Sequence, residues 1–335
     1  MKALYFDGLI PHFIERYHAP EPQENEALIR VLVAGICATD IEILHGYKAF
    51  KGVPGHEFVG VVERVNGGYP SLVGKRVVGE INLGCGQCEY CARGAERHCV
   101  SRAALGISEK DGVFAEYVTL PLKNLWEVPN AVSDEEAVFT EPLAAAFEIL
   151  EQVHIKPTSR IAVLGDGKLG LLVALVLAEQ GLSMVLVGKH ESKLAIAAQQ
   201  RIPTKMIDEL LKKRGYEVVV EATGSAGGLA AALDLVKPCG TIILKSTLAP
   251  FHDESLPAET SLTKSDLARI VVDEITVLGS RCGPFPPALS ALASGRVNVK
   301  PLVSAVYPFD DVMSAIEKTK DRGTIKVLLD FRERP

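Results

Sequence analysis

The sequence predicts an α/β fold in which an irregular β domain is joined to a doubly wound parallel sheet. The first part of the chain consists of short β-branched or alternating runs separated by Gly, Pro and Asn, a pattern typical of strands. From Ser133 onwards helical and strand patterns alternate, as they do in parallel sheets. At 335 residues the chain is too long for one compact core, so two domains are expected.

The β region contains predicted strands at residues 27–33, 58–65, 76–78 and 115–119. Ser133 and Glu136 form a capping-box pattern that opens a helix. A second helix is expected to begin at Pro142, because proline is favoured in a first turn.

The alternating region predicts strands at 160–164, 184–187, 217–220 and 241–244, and helices at 169–180, 191–200 and 227–236. The tail predicts a helix at 287–294, a strand, a helix at 310–319 and a closing strand at 324–331. We expect this tail to rejoin the first domain. The expected domains are 1–150 with 288–335, and 151–287.

Composition narrows the class of protein. Apolar residues make up 47% and charged residues 23%, and the net charge is −6. This balance is typical of soluble globular proteins and argues against general binding of nucleic acid or anionic membranes. The longest apolar run, 169–178, is too short to span a membrane, and residues 1–7 lack the apolar core of a signal peptide. A cytoplasmic location is expected.

A dense cysteine cluster has the spacing C-x2-C-x2-C-x7-C and comprises Cys85, Cys88, Cys91 and Cys99. Four thiolates suit a tetrahedral metal with no open position, so the cluster predicts a structural zinc site. The alternatives are two disulfides, an iron–sulfur cluster or a nucleic-acid-binding zinc ribbon. The expected cytoplasmic location disfavours disulfides, the long final spacing disfavours an iron–sulfur cluster, and balanced charge disfavours a ribbon.

A glycine turn follows the first predicted strand of the alternating region. Its sequence fits G-x-G-x-x-G and includes Gly165, Gly167, Lys168, Leu169 and Gly170. Between a strand and a helix this motif predicts that backbone amides bind a dinucleotide pyrophosphate. A purely structural glycine turn is the alternative.

The end of the next strand bears on which dinucleotide binds. NAD-binding proteins of this type carry an acidic residue there for the ribose 2′-hydroxyl. This chain has Gly188, Lys189 and His190, and Glu191 already opens the next helix. The glycine leaves room for a 2′-phosphate, and the side chains of Lys189 and His190 provide positive charge or hydrogen-bond donors. We therefore expect NADP rather than NAD. A solvated Lys-His pair at a loop tip is the alternative.

A sparse site is formed by Cys37 and His56 on separate predicted loops, and Glu141 could bring a third ligand from a helix start. A Cys/His/Glu set leaves one coordination position open, as catalytic zinc sites do. Taken singly, Cys37 and His56 would more often be core residues, and it is their conjunction that indicates a metal site.

These motifs together resemble the zinc-dependent medium-chain dehydrogenases and reductases, the superfamily of alcohol, sorbitol and threonine dehydrogenases. The resemblance extends over essentially the whole chain and includes G-I-C-x-T-D, G-H-E-x-x-G, the four-cysteine lobe, E-P-L and the glycine turn in family order. It implies a GroES-like catalytic domain built from both ends of the chain, with a Rossmann domain between them.

The resemblance also implies residue roles. Cys37, His56 and Glu141 are candidate ligands of a catalytic zinc, and Glu57 is a ligand or a partner that exchanges with substrate oxygen. Thr39 resembles the hydroxyl that passes on the substrate proton. Asp40 is expected to receive the free ring N–H of His56, with a turn-capping aspartate as the alternative.

Other positions match the family less closely. Thr223 ends a strand where relatives line the nicotinamide pocket, and Lys326 is expected to approach the cofactor phosphates. Many relatives carry a histidine of the proton relay five residues after the zinc cysteine, whereas this chain has Glu42, with His45 three positions further on. The end of the relay is therefore left open.

The expected function is zinc-assisted hydride transfer between a secondary alcohol, polyol or sugar and a nicotinamide cofactor, with two zinc ions per chain and NADP or NAD. A homodimer or homotetramer is expected from the resemblance. Two alternatives are a zinc enzyme of the same fold with lyase or isomerase chemistry, and a non-catalytic dinucleotide sensor.

Overall fold

A computed structural model describes residues 1–210, 214–225, 227–246 and 263–332. The chain forms two compact units. The first comprises Met1–Glu141, Phe285–Gly295 and Val303–Pro335, and the second comprises Pro142–Pro284 and Arg296–Leu302. Across the described ranges, no helix combines the length and the apolar character needed to cross a membrane.

The first unit is mostly β. Its strands are β1 (Ala3–Phe6), β2 (Pro11–Ile14), β3 (Glu26–Ile36), β4 (Glu57–Asn66), β5 (Arg76–Gly79), β6 (Asn82–Leu83), β7 (Ala103–Leu105), β8 (Glu109–Lys110), β9 (Tyr117–Pro121), β10 (Leu125–Glu127), β17 (Val303–Pro308) and β18 (Lys326–Asp330). Its helices are α1 (Ala38–Leu44), α2 (Glu89–Ala92), α3 (Asp134–Ala137), α9 (Phe285–Ala293) and α10 (Val312–Lys318).

A seven-stranded sheet organises this unit. Its strands follow the order β10-β5-β4-β3-β18-β17, and β9 also pairs with β3. The last strand, β18, is antiparallel to β3, with Leu328 opposite Gly35 and Val327 opposite Ile36. This pairing brings the C-terminal strand beside the end of β3.

The second unit alternates strands and helices. It contains α4 (Thr140–Gln152) from Pro142 onwards, β11 (Ile161–Leu164), α5 (Lys168–Glu179), β12 (Met184–Gly188), α6 (Glu191–Gln199), β13 (Thr204–Met206), β14 (Tyr216–Glu221), α7 (Gly228–Leu235), β15 (Val236–Leu244), α8 (Lys264–Val272) and β16 (Thr276–Gly279). The strands form a parallel sheet of order β13-β12-β11-β14-β15-β16. This is the doubly wound order of a Rossmann fold.

The central strands of this sheet have continuous apolar sequences because both faces are covered. All four residues of β11 are buried, and so are residues 170–177 of α5. The predicted fold class is therefore confirmed: an irregular β unit and a doubly wound parallel sheet.

Local signals located most elements to within a few residues. Ser133 caps α3 and Glu136 completes the capping box, as predicted. Helix α4 begins at Thr140, two residues earlier than expected, and Pro142 still lies in its first turn, where its missing N–H is harmless. The sequence did not predict β13, α8 or β16 in the second unit. In the first unit it did not predict six short strands and two short helices: β1, β2, β6, β7, β8, β10, α1 and α2.

Candidate active site

Cys37 lies at the junction between β3 and α1. It is the N-cap of the helix and has an extended backbone conformation, φ −105° and ψ 158°. Its N–H donates to Oδ2 of Asp40 at 2.7 Å, so the third residue of the helix holds the first turn closed. The side chain of Cys37 is half-buried. One helical turn therefore fixes the positions of both Cys37 and Asp40.

The same aspartate faces the ring of His56. Nδ1 of His56 lies 3.0 Å from Oδ1 of Asp40, and the two side chains are only 4% and 1% exposed. Burial by itself lowers the pKa of His56, but the Asp40 carboxylate and the Cys37 sulfur outweigh it and raise that pKa well above its usual value. With Nδ1 turned to Asp40, Nε2 is the nitrogen available to a ligand.

Close backbone contacts position the loop that carries His56. A Cβ atom at Gly106 or at Gly112 would lie 2.1 Å from the carbonyl oxygen of Gly55. Gly55 itself has a φ of +96°, which favours glycine. The carboxylate of Asp111 accepts the N–H of Val53 at 2.9 Å. Three glycines therefore let the backbone segments pack tightly enough to hold His56 in place.

The structure brings Cys37, His56 and Glu57 together. One potential ligand atom from each lies within 4.8 Å of the others, and His56 and Glu57 are buried. A thiolate, an imidazole and a carboxylate are the donor types that zinc prefers, and three donors leave a position open for substrate. The group that meets this distance does not include Glu141, which lies in the first turn of α4.

Thr39 is also beside the cluster, with its hydroxyl oxygen 3.9 Å from Sγ of Cys37. Glu42 is half-buried within α1, and His45 is exposed just after the helix. The hydroxyl of Thr39 is therefore near enough to the cluster to exchange a proton with a small ligand there.

Lys326 is fully buried against this cluster. Its amine contacts the carboxylate of Glu57 and donates to the carbonyl oxygen of Ile36 at 3.1 Å. Burial lowers the pKa of Lys326 to about 8, against the raising effect of Cys37 and Asp40. The sequence had assigned Lys326 to the cofactor phosphates; its amine instead faces Glu57, because β18 pairs with β3 and directs it inward.

Gly35 makes this burial possible. A Cβ atom at position 35 would lie 2.4 Å from both Cε and Nζ of Lys326 and 2.7 Å from a methyl group of Val138. The glycine of the G-I-C motif therefore leaves the space that the lysine side chain occupies.

The four cysteines of the dense cluster also come together, with their sulfur atoms within 4.8 Å of one another. All seven cysteines lie in the described ranges, and none forms a disulfide. The backbone N–H groups of Gln87 and Cys88 lower the pKa of Cys85 to about 6, which favours the thiolate that a metal requires. A Cβ atom at Gly84 would lie 2.7 Å from the sulfur of Cys91. The lobe is compact and suits a closed tetrahedral site.

In the second unit, the glycine turn lies between β11 and α5, as the sequence predicted. Gly165 has a φ of +116°, and a Cβ atom at Gly170 would lie 1.8 Å from the carbonyl oxygen of Gly165. Gly167 is the N-cap of α5, followed by Lys168 and Leu169 in the first turn. The first N–H groups of the helix have no partner within the helix, so this end suits a phosphate group.

At the tip of β12, the carboxylate of Asp166 makes contacts that the sequence did not predict. Oδ2 of Asp166 accepts the N–H groups of Lys189 and His190, both at 2.7 Å. Nδ1 of His190 lies 3.1 Å from each oxygen of the same carboxylate. Asp166 is the variable residue between two glycines of the turn. The sequence does contain a signal for this contact, namely an acidic residue at position 166 together with a glycine at position 188.

Thr223 follows β14 at the carboxyl edge of the parallel sheet. Its hydroxyl contacts the carboxylate of Glu221, and the N–H of Gly224 donates to Oγ of Ser246 at 2.9 Å. Ligands of open parallel sheets bind at this edge. Thr223 therefore lies at the same edge of the sheet as the glycine turn.

Comparisons with known proteins agree with this fold. Residues 23–130 match the model of the alcohol dehydrogenase GroES-like domain. A sorbitol dehydrogenase of Halalkalibacterium halodurans is 30% identical, with 95% of each chain covered. A short-chain alcohol dehydrogenase of E. coli CFT073 in complex with NADH superposes with a TM-score of 0.86, 27% identity and 99% coverage of both chains. A dehydrogenase candidate of Sinorhizobium meliloti 1021 bound to NADP gives 0.83, 27% and 98% coverage of both.

Proposed function

As a member of the zinc-type alcohol dehydrogenase family of medium-chain dehydrogenases and reductases, this chain is an oxidoreductase, and we propose that it interconverts a secondary alcohol, polyol or sugar and the corresponding carbonyl compound, with NADP favoured over NAD. The cluster of Cys37, His56 and Glu57, with ligand atoms within 4.8 Å, carries this proposal. The similarity to a sorbitol dehydrogenase supports a polyol among the possible substrates.

The residues of the cluster fit a catalytic zinc ion. Cys37, His56 and Glu57 offer sulfur, nitrogen and oxygen donors, and Asp40 holds Nδ1 of the imidazole, which makes Nε2 the ligand atom. Glu141 remains a candidate ligand from the start of α4. Zinc bound here would act as a Lewis acid on the substrate oxygen and lower the pKa of the alcohol. Cys85, Cys88, Cys91 and Cys99 would hold a second, structural zinc.

The surrounding side chains have separate roles in this proposal. Thr39 relays the hydroxyl proton of the alcohol: its oxygen, 3.9 Å from the sulfur of Cys37, accepts that proton while its own O–H proton passes onward to solvent. Asp40 keeps His56 in one tautomer and orientation. Lys326 neutralises Glu57, so that this carboxylate can stay charged although it is buried.

The second unit supplies the cofactor site in this proposal. A nicotinamide cofactor held here would supply or take up the hydride. The glycine turn, with Gly165, Gly167 and Gly170, binds the pyrophosphate, and the backbone of Lys168 and Leu169 extends that site along the first turn of α5. Thr223 lies at the same edge of the sheet, and Lys189 and His190 at the tip of β12 favour the 2′-phosphate of NADP. We assign the cofactor to the domain 151–287 and the zinc chemistry to 1–150 with 288–335.

A homo-oligomer, either a dimer or a tetramer, is part of the same proposal. Strand β16 ends the strand order of the parallel sheet in the described ranges. Val277 of this strand is 38% exposed. Val271 and Val272 of the preceding helix are 77% and 79% exposed. An edge strand with exposed apolar side chains suits pairing with the same strand of a second copy.

The proposal is tested by metal content and turnover measured on the same samples. Zinc per chain is measured by plasma mass spectrometry, and turnover is followed by nicotinamide absorbance with a panel of polyols, sugars and secondary alcohols. We expect two zinc ions in the wild type and one in Cys37→Ser, with turnover lowered about 100-fold or more because the Lewis acid is lost. Cys239→Ser is the matched control, since Cys239 belongs to neither cluster.

Three outcomes would contradict the proposal. If the wild type holds a single zinc that Cys37→Ser does not remove, the sparse site binds no metal and the protein is a dinucleotide sensor. Conversion of a sugar without net oxidation of the cofactor would indicate lyase or isomerase chemistry. Turnover with NADH in preference to NADPH would contradict the cofactor preference alone.

A further inference from the structure

The side chain of Asp166 packs directly against Gly188 at the tip of β12. A Cβ atom at Gly188 would lie 2.4 Å from Oδ2 of Asp166 and 2.6 Å from its Cβ. An acidic side chain at position 188, where NAD-binding sheets carry the acceptor for the ribose 2′-hydroxyl, therefore cannot coexist with Asp166 in its present position.

The carboxylate of Asp166 is already engaged by its own chain. Its side chain is 10% exposed. Oδ2 accepts the N–H groups of Lys189 and His190, both at 2.7 Å, which uses the two acceptor positions of that oxygen. Burial raises the pKa of Asp166, but the hydrogen bonds from His190 and Lys189 outweigh it and the net shift is downward. The carboxylate is therefore charged and directed at the loop.

This arrangement also orients the imidazole of His190. Nδ1 faces the carboxylate at 3.1 Å from each oxygen, while the side chain as a whole is 44% exposed. Nε2, at the far edge of the ring, is thus the nitrogen left to meet a ligand, and an imidazolium would donate from it. The side chain of the neighbouring Lys189 is exposed as well.

We propose that Asp166 is a positioning residue that presents Lys189 and His190 as a clamp for the 2′-phosphate of NADP(H). This inference rests on the proposed dinucleotide function and names the residue that gives it its cofactor preference. Asp166 acts through the loop rather than by touching the cofactor. Its negative charge is offset by two N–H groups and the imidazole, while the ammonium of Lys189 and Nε2 of His190 are directed to the phosphate.

A different role for the same carboxylate predicts the opposite result. If Asp166 accepted the ribose 2′-hydroxyl, it would repel a 2′-phosphate and select NAD. Removal of the carboxylate would then strengthen the binding of 2′-phosphorylated ligands. The positioning role predicts instead that removing the carboxylate weakens the binding of 2′-phosphorylated ligands.

The experiment measures the binding of two adenosine fragments to the zinc-loaded, full-length protein by isothermal titration calorimetry. The fragments are 2′,5′-ADP and 5′-AMP, which differ in the 2′-phosphate and require no alcohol substrate. We expect the wild type to bind 2′,5′-ADP about 10- to 100-fold more tightly, the range of one or two charge-assisted hydrogen bonds. Asp166→Ala should lose about tenfold or more of that preference, with AMP affinity unchanged.

Two further variants and a control complete the test. Asp166→Asn should keep most of the preference, because its side-chain oxygen can still accept the N–H groups of Lys189 and His190. His190→Leu, at a 44% exposed position, should lose preference without affecting the fold. Lys156→Met is the matched control, since this exposed lysine lies before β11, at the opposite end of the strands.

The possible results test separately the role of Asp166, the clamp for the 2′-phosphate and the dinucleotide site. A preference that survives or increases in Asp166→Ala overturns the positioning role, and a preference that survives in His190→Leu overturns the part of His190 in the clamp. A wild type that binds both fragments equally overturns both the clamp and the proposed NADP preference. A wild type that binds neither fragment overturns the dinucleotide site itself.

Discussion

The amine of Lys326 contacts the carboxylate of Glu57, and neither side chain is exposed to solvent. Glu57 begins β4 and directly follows His56, whereas Lys326 begins β18 near the end of the chain. A charged pair in such surroundings is costly to break, since either partner alone would leave a buried charge without its counter-ion.

The first prediction concerns this pair. Lys326→Met should destabilise the protein by about 3–5 kcal/mol, because the Glu57 carboxylate loses the partner that offsets its burial. The double variant Lys326→Met/Glu57→Gln should be less destabilised than the single one, since it leaves no buried charge there. Urea unfolding measures both.

The matched control is Lys75→Met, which breaks the exposed ion pair between Lys75 and Glu127. Pairs of this kind contribute only about 0–1 kcal/mol. If Lys326→Met and Lys75→Met lower the free energy of unfolding equally, the buried pair contributes no more to stability than an exposed one.

The second prediction concerns Gly35. Gly35→Ala should cost about 1–3 kcal/mol, because the added methyl group would overlap the Lys326 amine and the backbone must shift. Thermal unfolding measures this cost, and zinc content should fall with it, since Cys37 follows only two residues later. Gly68→Ala is the control, because a Cβ atom there meets nothing within 4 Å. A Gly35→Ala protein as stable as Gly68→Ala would mean that Lys326 can move aside easily.

The third prediction separates the dense cysteine cluster from catalysis. Cys88→Ser should remove one zinc ion per chain and lower the melting temperature, while kcat measured well below that temperature changes less than about threefold, since a closed site does no chemistry. Cys239→Ser should change neither zinc content nor melting temperature. A large fall in kcat without loss of stability would assign the lobe a role in turnover.

The fourth prediction concerns assembly. Val277→Lys should convert the protein to a monomer of 36.0 kDa, because a lysine on β16 opposes pairing of this edge strand with a second copy. Light scattering after size-exclusion chromatography measures the mass. Val306→Lys, on the edge strand β17 of the first unit and 42% exposed, is the matched control. An unchanged mass for Val277→Lys would place the interface elsewhere.

Local signals explain how much of the fold the sequence predicted. The capping box of Ser133 and Glu136, the continuous apolar strands and the glycine turn are each encoded within a few residues, and the structure has all three. Strand β13 was missed because its three residues, Thr-Lys-Met, have no strand-like pattern. Helix α8 was missed although Thr263 and Asp266 form a capping box, a local signal that was available.

Sequence analysis identified the site residues that lie within short motifs. It did not identify contacts between segments that are far apart in the sequence. Cys37 and His56 were identified because a thiolate and an imidazole on separate loops can share a metal ion, and Glu57 was added by the resemblance to the family. The environment of Lys326 depends on the pairing of β18 with β3, which joins residues 290 positions apart. The contact of Asp166 depends likewise on Lys189, which follows β12 and lies 23 residues later. Neither contact is encoded in a short stretch of sequence.

The pairing of β18 with β3 also bears on synthesis. Cys37 and His56 are made before the strand that supplies the buried counter-charge for Glu57, since Lys326 lies 290 residues after its partner Ile36. The nascent chain must therefore keep an open strand edge and an uncompensated carboxylate beside its metal ligands until β18 has been made. A fragment that stops after the first 141 residues would be held in that unfinished state, so we expect it to aggregate or to be degraded rather than to fold as a separate zinc protein.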